Sequence, residues 1–138
     1  MSSYHIIDEP KVKLAERFII NPMFILLAGM LIPMFFSVPL YGRFWLPFVW
    51  LAVNGYLLGS PTFLRELLYA CLGVVAIFAI FTGFGYLIKT GVVTTPQRFF
   101  PYIRVAVSAV FFIALYLAVF TQSVPFSIYE YVKGQRHE

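Results

Sequence analysis

Four long apolar runs separated by short polar stretches dominate the pattern along the chain. They cover residues 18–40, 44–58, 67–88 and 102–122. A membrane-spanning helix needs about 20 apolar residues to cross a hydrocarbon core of about 30 Å. Because unpaired peptide groups are costly in hydrocarbon, such runs form helices. The pattern therefore predicts an all-α fold, a polytopic transmembrane helical bundle of four spans with short connections.

The second run, 44–58, is the weakest of the four. Its fifteen residues would form a helix of about 22 Å, and it ends in Gly59-Ser60-Pro61. A re-entrant or interfacial segment is the alternative for this run. The third run, 67–88, is the clearest span, because it contains no Asp, Glu, Lys, Arg or His.

The remaining residues divide into two polar flanks and three connections. Residues 1–17 suit an amphipathic helix in the headgroup region or a flexible tail, and residues 123–138 suit an interfacial segment that becomes polar. A tight connection is expected at 41–43, and the only substantial loop at 90–101. Trp45 lies at the start of the second run, as expected for an aromatic belt, and Trp50 is the seventh of its fifteen residues.

Composition agrees with this organisation. The chain is 61% hydrophobic and 12% charged, whereas soluble domains carry roughly 25% charged residues. Its net charge is +4, but the ten Lys and Arg residues are scattered at the edges of the apolar runs. No basic stripe for nucleic acid can form, so the expected partners are membrane lipids and another integral membrane protein or further copies of this chain.

The basic residues also predict an orientation. Under four spans, six lie on the side of both termini and four on the other side. The first group is Lys11, Lys13, Arg17, Arg65, Lys133 and Arg136, and the second is Arg43, Lys89, Arg98 and Arg104. Because cytoplasmic loops carry the excess of Lys and Arg, we expect both termini in the cytoplasm, with the protein in a bacterial inner membrane.

Few residues in the spans can do chemistry. No Asp, Glu, Lys or His lies within the four runs, and both histidines, His5 and His137, are near the chain ends. We therefore expect no catalytic residues, no metal ligands and no cofactor, and no enzymatic activity. The polar residues in or beside the runs are Asn21, Ser37, Asn54, Thr82, Ser108 and Gln122; such groups commonly form hydrogen bonds across helix interfaces.

Three charged residues lie at the edges of runs. Arg104 either extends to the headgroups or pairs with an acid, which is Glu66 or a residue of a partner protein. Four spans would put Glu66 on the opposite side of the membrane from Arg104. Arg65 and Glu66 precede the third run, where a helix N-terminus favours an acidic residue. We regard Arg65, Glu66 and Arg104 as candidates for a charged contact.

Small residues recur at intervals of three and four in the last two runs. They are Ala70, Gly73, Ala76, Ala79 and Gly83 in the third run and Ala114 and Ala118 in the fourth. Such stripes let helix backbones approach closely. We expect these residues to pack the two helices against each other or to contact a partner helix.

Together these features favour a small non-catalytic membrane protein. It would act as an accessory or structural subunit, assembly factor or inhibitor-like partner of a larger membrane complex, through helix contacts. The alternative is a small oligomeric transporter or channel, in which Asn54, Thr82 and Ser108 line a narrow polar path.

Overall fold

The structure, a computed structural model, describes Pro10 and residues 16–35 and 45–136. A one-turn 3-10 helix (Glu16–Phe18) precedes α1 (Pro22–Phe35), α2 (Leu46–Leu58), α3 (Phe63–Lys89) and α4 (Pro96–Arg136). The predicted all-α fold is confirmed for these residues, which contain no strand. The connection predicted at 41–43 and most of the N-terminal flank lie outside them.

Two of the four helices are long and apolar enough to cross a membrane, and these are α3 and α4. They contain 27 and 41 residues, whereas α1 contains 14 and α2 contains 13. At 1.5 Å per residue α2 is about 20 Å long, less than a hydrocarbon core of about 30 Å, while α1 is described only as far as Phe35, next to residues outside the described ranges. The described helices thus supply two of the four predicted spans at full length.

The turn between α2 and α3 begins at a left-handed glycine. Gly59 has φ 63° and ψ 37°, and its N–H donates to the Tyr56 carbonyl at 3.1 Å. Glycine adopts this left-handed conformation without the steric cost that a Cβ brings, which favours the end of α2 at this residue. The Thr62 carbonyl then accepts the N–H groups of Arg65 and Glu66, so α3 starts at Phe63, four residues before the predicted run.

Helix α4 is longer at both ends than its apolar run predicts. The loop expected at 90–101 shortens to 90–95, and the flank expected at 123–138 is helical as far as Arg136. Pro101 and Pro125 both lie inside the helix. A proline removes one backbone hydrogen bond and strains the preceding turn, but packing can offset that cost. Pro125 is buried, and the next turn packs on Leu58.

The four helices alternate in direction around one apolar core. Gly73 of α3 lies against Ala114 of α4, and Phe84 against Phe100, with ring centroids 6.0 Å apart. These pairs make α3 and α4 an antiparallel hairpin. Gly29 of α1 faces both Leu115 and Pro47. The central core residues are Ile25, Phe48, Leu51, Ile77, Phe111, Leu115 and Val119.

Candidate functional site: a buried polar cluster

A cluster of polar side chains is buried where the end of α2 and the start of α3 meet α4. Asn54 lies near the end of α2, Ser60 and Thr62 in the following turn, Glu66 in the first turns of α3, and Gln122 in α4. Glu66 is 4% exposed and Gln122 is fully buried. Since buried polar groups need partners, the fold has to satisfy each of them; we call these five residues the polar cluster.

The two amides of the cluster form a chain of hydrogen bonds. Asn54 Oδ1 accepts from the Ile20 N–H at 2.9 Å, and Asn54 Nδ2 donates to the Ile20 carbonyl and to Gln122 Oε1, both at 2.9 Å. Gln122 Nε2 donates to the Leu51 carbonyl at 3.0 Å and to Glu66 Oε2 at 2.8 Å. The backbone N–H of Ile20 thereby fixes the orientation of Asn54 and, through it, that of Gln122.

The Glu66 carboxyl group is held from both sides. The hydroxyl oxygens of Ser60 and Thr62 lie 2.7 and 2.8 Å from Oε1, while Gln122 Nε2 approaches Oε2. The turn from Gly59 to Thr62 places the two hydroxyls beside the start of α3. Glu66 is also favoured there by the helix dipole, as the sequence indicated.

Gly55 provides the space for this cluster. A Cβ added at this position would lie 2.6 Å from Gln122 Nε2 and 2.6 Å from Glu66 Oε2. Both distances are too short for a carbon atom in contact with nitrogen or oxygen. The α2 backbone can therefore lie beside the Gln122–Glu66 hydrogen bond only because residue 55 has no side chain.

All four amide hydrogens of Asn54 and Gln122 are used within the chain. No amide donor is left for a ligand, and the carboxyl oxygens already face three donors. This arrangement can fix the register of the helices, because a slip of one helical turn would leave several buried polar groups without hydrogen-bond partners. It joins the chain before α1 to α2, α3 and α4.

A smaller apolar cluster extends the site along the end of α4. Phe126 and Tyr129 pack with Leu58, and Ile19 lies against them. Lys133 is 5.7 Å from the centre of the Tyr129 ring. The buried hydroxyl of Tyr129 has no hydrogen-bond partner in the part of the chain that the structure describes.

The small residues of α3 fall on two faces. Ala70 and Gly73 are buried on the face that meets α4, where Ala114 and Ala118 are also buried. Ala76 is half-buried, and Ala79 and Gly83 are exposed. A Cβ at Gly83 would meet nothing within 4 Å. At 100° per residue, these three lie roughly 90–150° around the helix from the centre of the face that meets α4. We call them the exposed strip.

The three charged candidates are not brought together. Glu66 is bonded within the polar cluster, while Arg65 and Arg104 are exposed. Gln122, which contacts Glu66, is eighteen residues from Arg104 along α4, which corresponds to about 27 Å. Glu66 and Arg104 therefore lie near opposite ends of the bundle.

The prediction that polar residues bond across helix interfaces is confirmed for Asn54 and Gln122. Thr82 instead donates to the Phe78 carbonyl of its own helix at 2.9 Å. The roles of Ser60 and Thr62 were not predicted. Their spacing before Glu66 was the available signal, since hydroxyls four and six residues ahead of an acid can reach it around a helix start.

No group of three or more His, Cys, Asp or Glu side chains that could hold a metal ion occurs among residues 16–35 and 45–136. The chain matches no protein-family model, no curated protein and no solved structure.

Proposed function

We propose that this chain is a non-catalytic integral membrane protein that acts as an accessory subunit, assembly factor or inhibitor-like partner through helix contacts. The observation that carries the proposal is the exposure of α3. In the most apolar stretch of 18 residues in α3, only 17% is buried. In the corresponding stretch of α4, 33% is buried. A core helix of a soluble protein would be mostly buried, so these side chains need an apolar solvent.

The position of charge along the two long helices supports a bilayer as that solvent. Exposed Arg65 lies one residue before Glu66, which is level with Gln122, and exposed Arg104 is about 27 Å further along α4. No other Asp, Glu, Lys or Arg of α3 or α4 falls between these two levels. The charge-free zone therefore has about the thickness of a hydrocarbon core, about 30 Å; we call it the apolar belt.

Side chains on the outside of the apolar belt are suited to lipid. Leu68, Val75 and Phe78 of α3 and Val105 and Ile113 of α4 are each more than half exposed. Thr82, which lies among them, donates its hydroxyl hydrogen to its own helix. Hydrocarbon tolerates such a group because it is already satisfied.

A partner in the membrane is supported by the exposed strip of α3. Ala76, Ala79 and Gly83 present a nearly bare helix surface that α4 does not use. Small residues of this kind allow close approach of a second helix. We further propose a bacterial inner membrane with both termini in the cytoplasm, for which the greater number of basic residues on the side of the termini is the support.

Affinity purification in mild detergent, with paired leucine variants, tests the partner. We expect Gly83→Leu to lower the recovered amount of a stoichiometric membrane partner at least severalfold, without loss of helicity in the chain itself. Gly85→Leu is the matched control. A Cβ at Gly85 would also meet nothing within 4 Å, but this residue lies on another side of α3. Recovery of a pure homo-oligomer that gives flux in liposomes would instead support the transporter or channel.

A further inference from the structure

The depth of α2 in the apolar belt can be read from contacts with α4. Asn54 is level with Gln122 through their hydrogen bond, and Gly29 faces both Pro47 and Leu115. Pro47 is seven residues before Asn54 on α2, and Leu115 is seven residues before Gln122 on α4. The two helices thus rise in step, and positions on α2 can be placed on the scale of α4.

On that scale α2 begins in the middle of the belt. Trp45 is the residue before α2, has helical φ and ψ of −75° and −22°, and is nine residues from Asn54. This separation corresponds to about 13 Å along the axis. The belt extends about 27 Å from the level of the cluster to Arg104, so Trp45 lies close to its midpoint.

The side chains at this end of α2 face outward. Trp45 is 49% exposed and Trp50 is 41% exposed. A helix that began at Trp45 and crossed the whole belt would place this ring at a membrane surface, where tryptophan is usually found. The structure instead places Trp45 about halfway between the two ends of the belt.

We infer, on the basis of the proposed membrane location, that α2 is a half-depth helix whose N-terminal end contacts lipid acyl chains at the bilayer midplane. The protein surface around Trp45 therefore contacts the deep part of the hydrocarbon core. Helices α3 and α4 extend through the far half of the belt, and their exposed side chains there face the acyl chains of that leaflet.

Depth-dependent fluorescence quenching tests this inference, because Trp45 and Trp50 are the two tryptophans of the chain. The full chain is reconstituted into phosphatidylcholine vesicles with bromine at a series of acyl carbons. Trp50→Phe leaves Trp45 as the emitter, and Trp45→Phe leaves Trp50. Both rings are exposed, so neither replacement opens the core.

We expect Trp45 to be quenched most by bromine near the acyl chain ends and to be shielded from aqueous iodide. Trp50 should be quenched most by bromine closer to the headgroups, since it lies about 7 Å nearer the polar cluster along α2. Strongest quenching of Trp45 by shallow bromine would overturn the half-depth inference. A chain that does not float with the vesicles would overturn the membrane proposal itself.

Discussion

At the scale of single residues, Gly55 gives the most direct test of the polar cluster. Gly55→Ala puts a methyl group 2.6 Å from both Gln122 Nε2 and Glu66 Oε2, so their hydrogen bond must break or the helices must move apart. We expect a loss of about 1–3 kcal/mol in the free energy of unfolding. Thermal or denaturant unfolding in detergent, followed by circular dichroism, measures it.

Gly83→Ala is the matched control for that change. Gly83 is also inside a helix, but a Cβ there meets nothing within 4 Å. Alanine favours helix over glycine by about 1 kcal/mol, so this variant should be as stable as the natural chain or more so. Equal destabilisation by the two alanines would mean that Gly55 is not beside the Gln122–Glu66 contact.

A double-mutant cycle tests the hydrogen bond between Asn54 and Gln122. Each alanine replacement alone leaves a buried partner unsatisfied and should cost about 1–3 kcal/mol. The double variant should cost less than the sum, with a coupling of about 0.5–3 kcal/mol. Asn54→Ala combined with Ser108→Ala serves as the control, because Ser108 is fourteen residues from Gln122 on α4 and should be additive within about 0.5 kcal/mol.

The sequence contained each member of the polar cluster but not their association. Glu66 and Gln122 are 56 residues apart, and each had a sufficient local explanation, the first as an acid at a helix start and the second as a polar residue at the end of a run. Which pairs meet depends on the relative register of α2, α3 and α4. Register is decided by packing between helices and not by any local pattern.

At the scale of helices, the apolar runs predicted where helices occur better than where they end. The third run, 67–88, corresponds closely to α3 (Phe63–Lys89), because a long apolar stretch without proline or charge favours one continuous helix. Helix α4 extends beyond both ends of its run. Pro101 and Pro125 lie inside this helix. A proline only adds a cost, and the contacts of Phe126 and Tyr129 with Leu58 lie beyond Pro125.

The close approach of α3 and α4 at Gly73 gives a prediction for a pair of helices. Because Gly73 already lies against Ala114, Gly73→Leu must separate the helices, at a cost of about 1–3 kcal/mol or more. At Gly83 a Cβ meets nothing within 4 Å, so the same replacement there should leave the stability in detergent unchanged or raise it, because leucine also favours helix over glycine. Similar losses at both positions would show that α3 is rotated relative to the face described for it.

At the scale of the whole molecule, the arrangement of helix directions limits the topologies available. The chain before α1 and the end of α4 lie at the same end of the bundle, since Ile20, Asn54 and Gln122 are bonded together there. The turn at 90–95 lies at the other end. Counting apolar runs could not determine how deep each one reaches, because α2 is apolar throughout but too short for a full crossing.

This arrangement predicts the outcome of reporter fusions in a bacterial host. If α3 and α4 cross the inner membrane with the termini inside, a fluorescent protein fused after Glu138 should be bright and alkaline phosphatase fused there inactive. Alkaline phosphatase fused after Val92, in the turn, should be active, because that turn then lies in the periplasm. Val92 is 71% exposed, so the turn should tolerate a fusion at this junction.

Activity of alkaline phosphatase at both junctions would contradict the hairpin crossing, and the reverse pattern would place the termini outside. The charge distribution favours the first pattern, since Arg17, Arg65 and Lys133 are all exposed at the end where the termini lie and positive residues resist translocation.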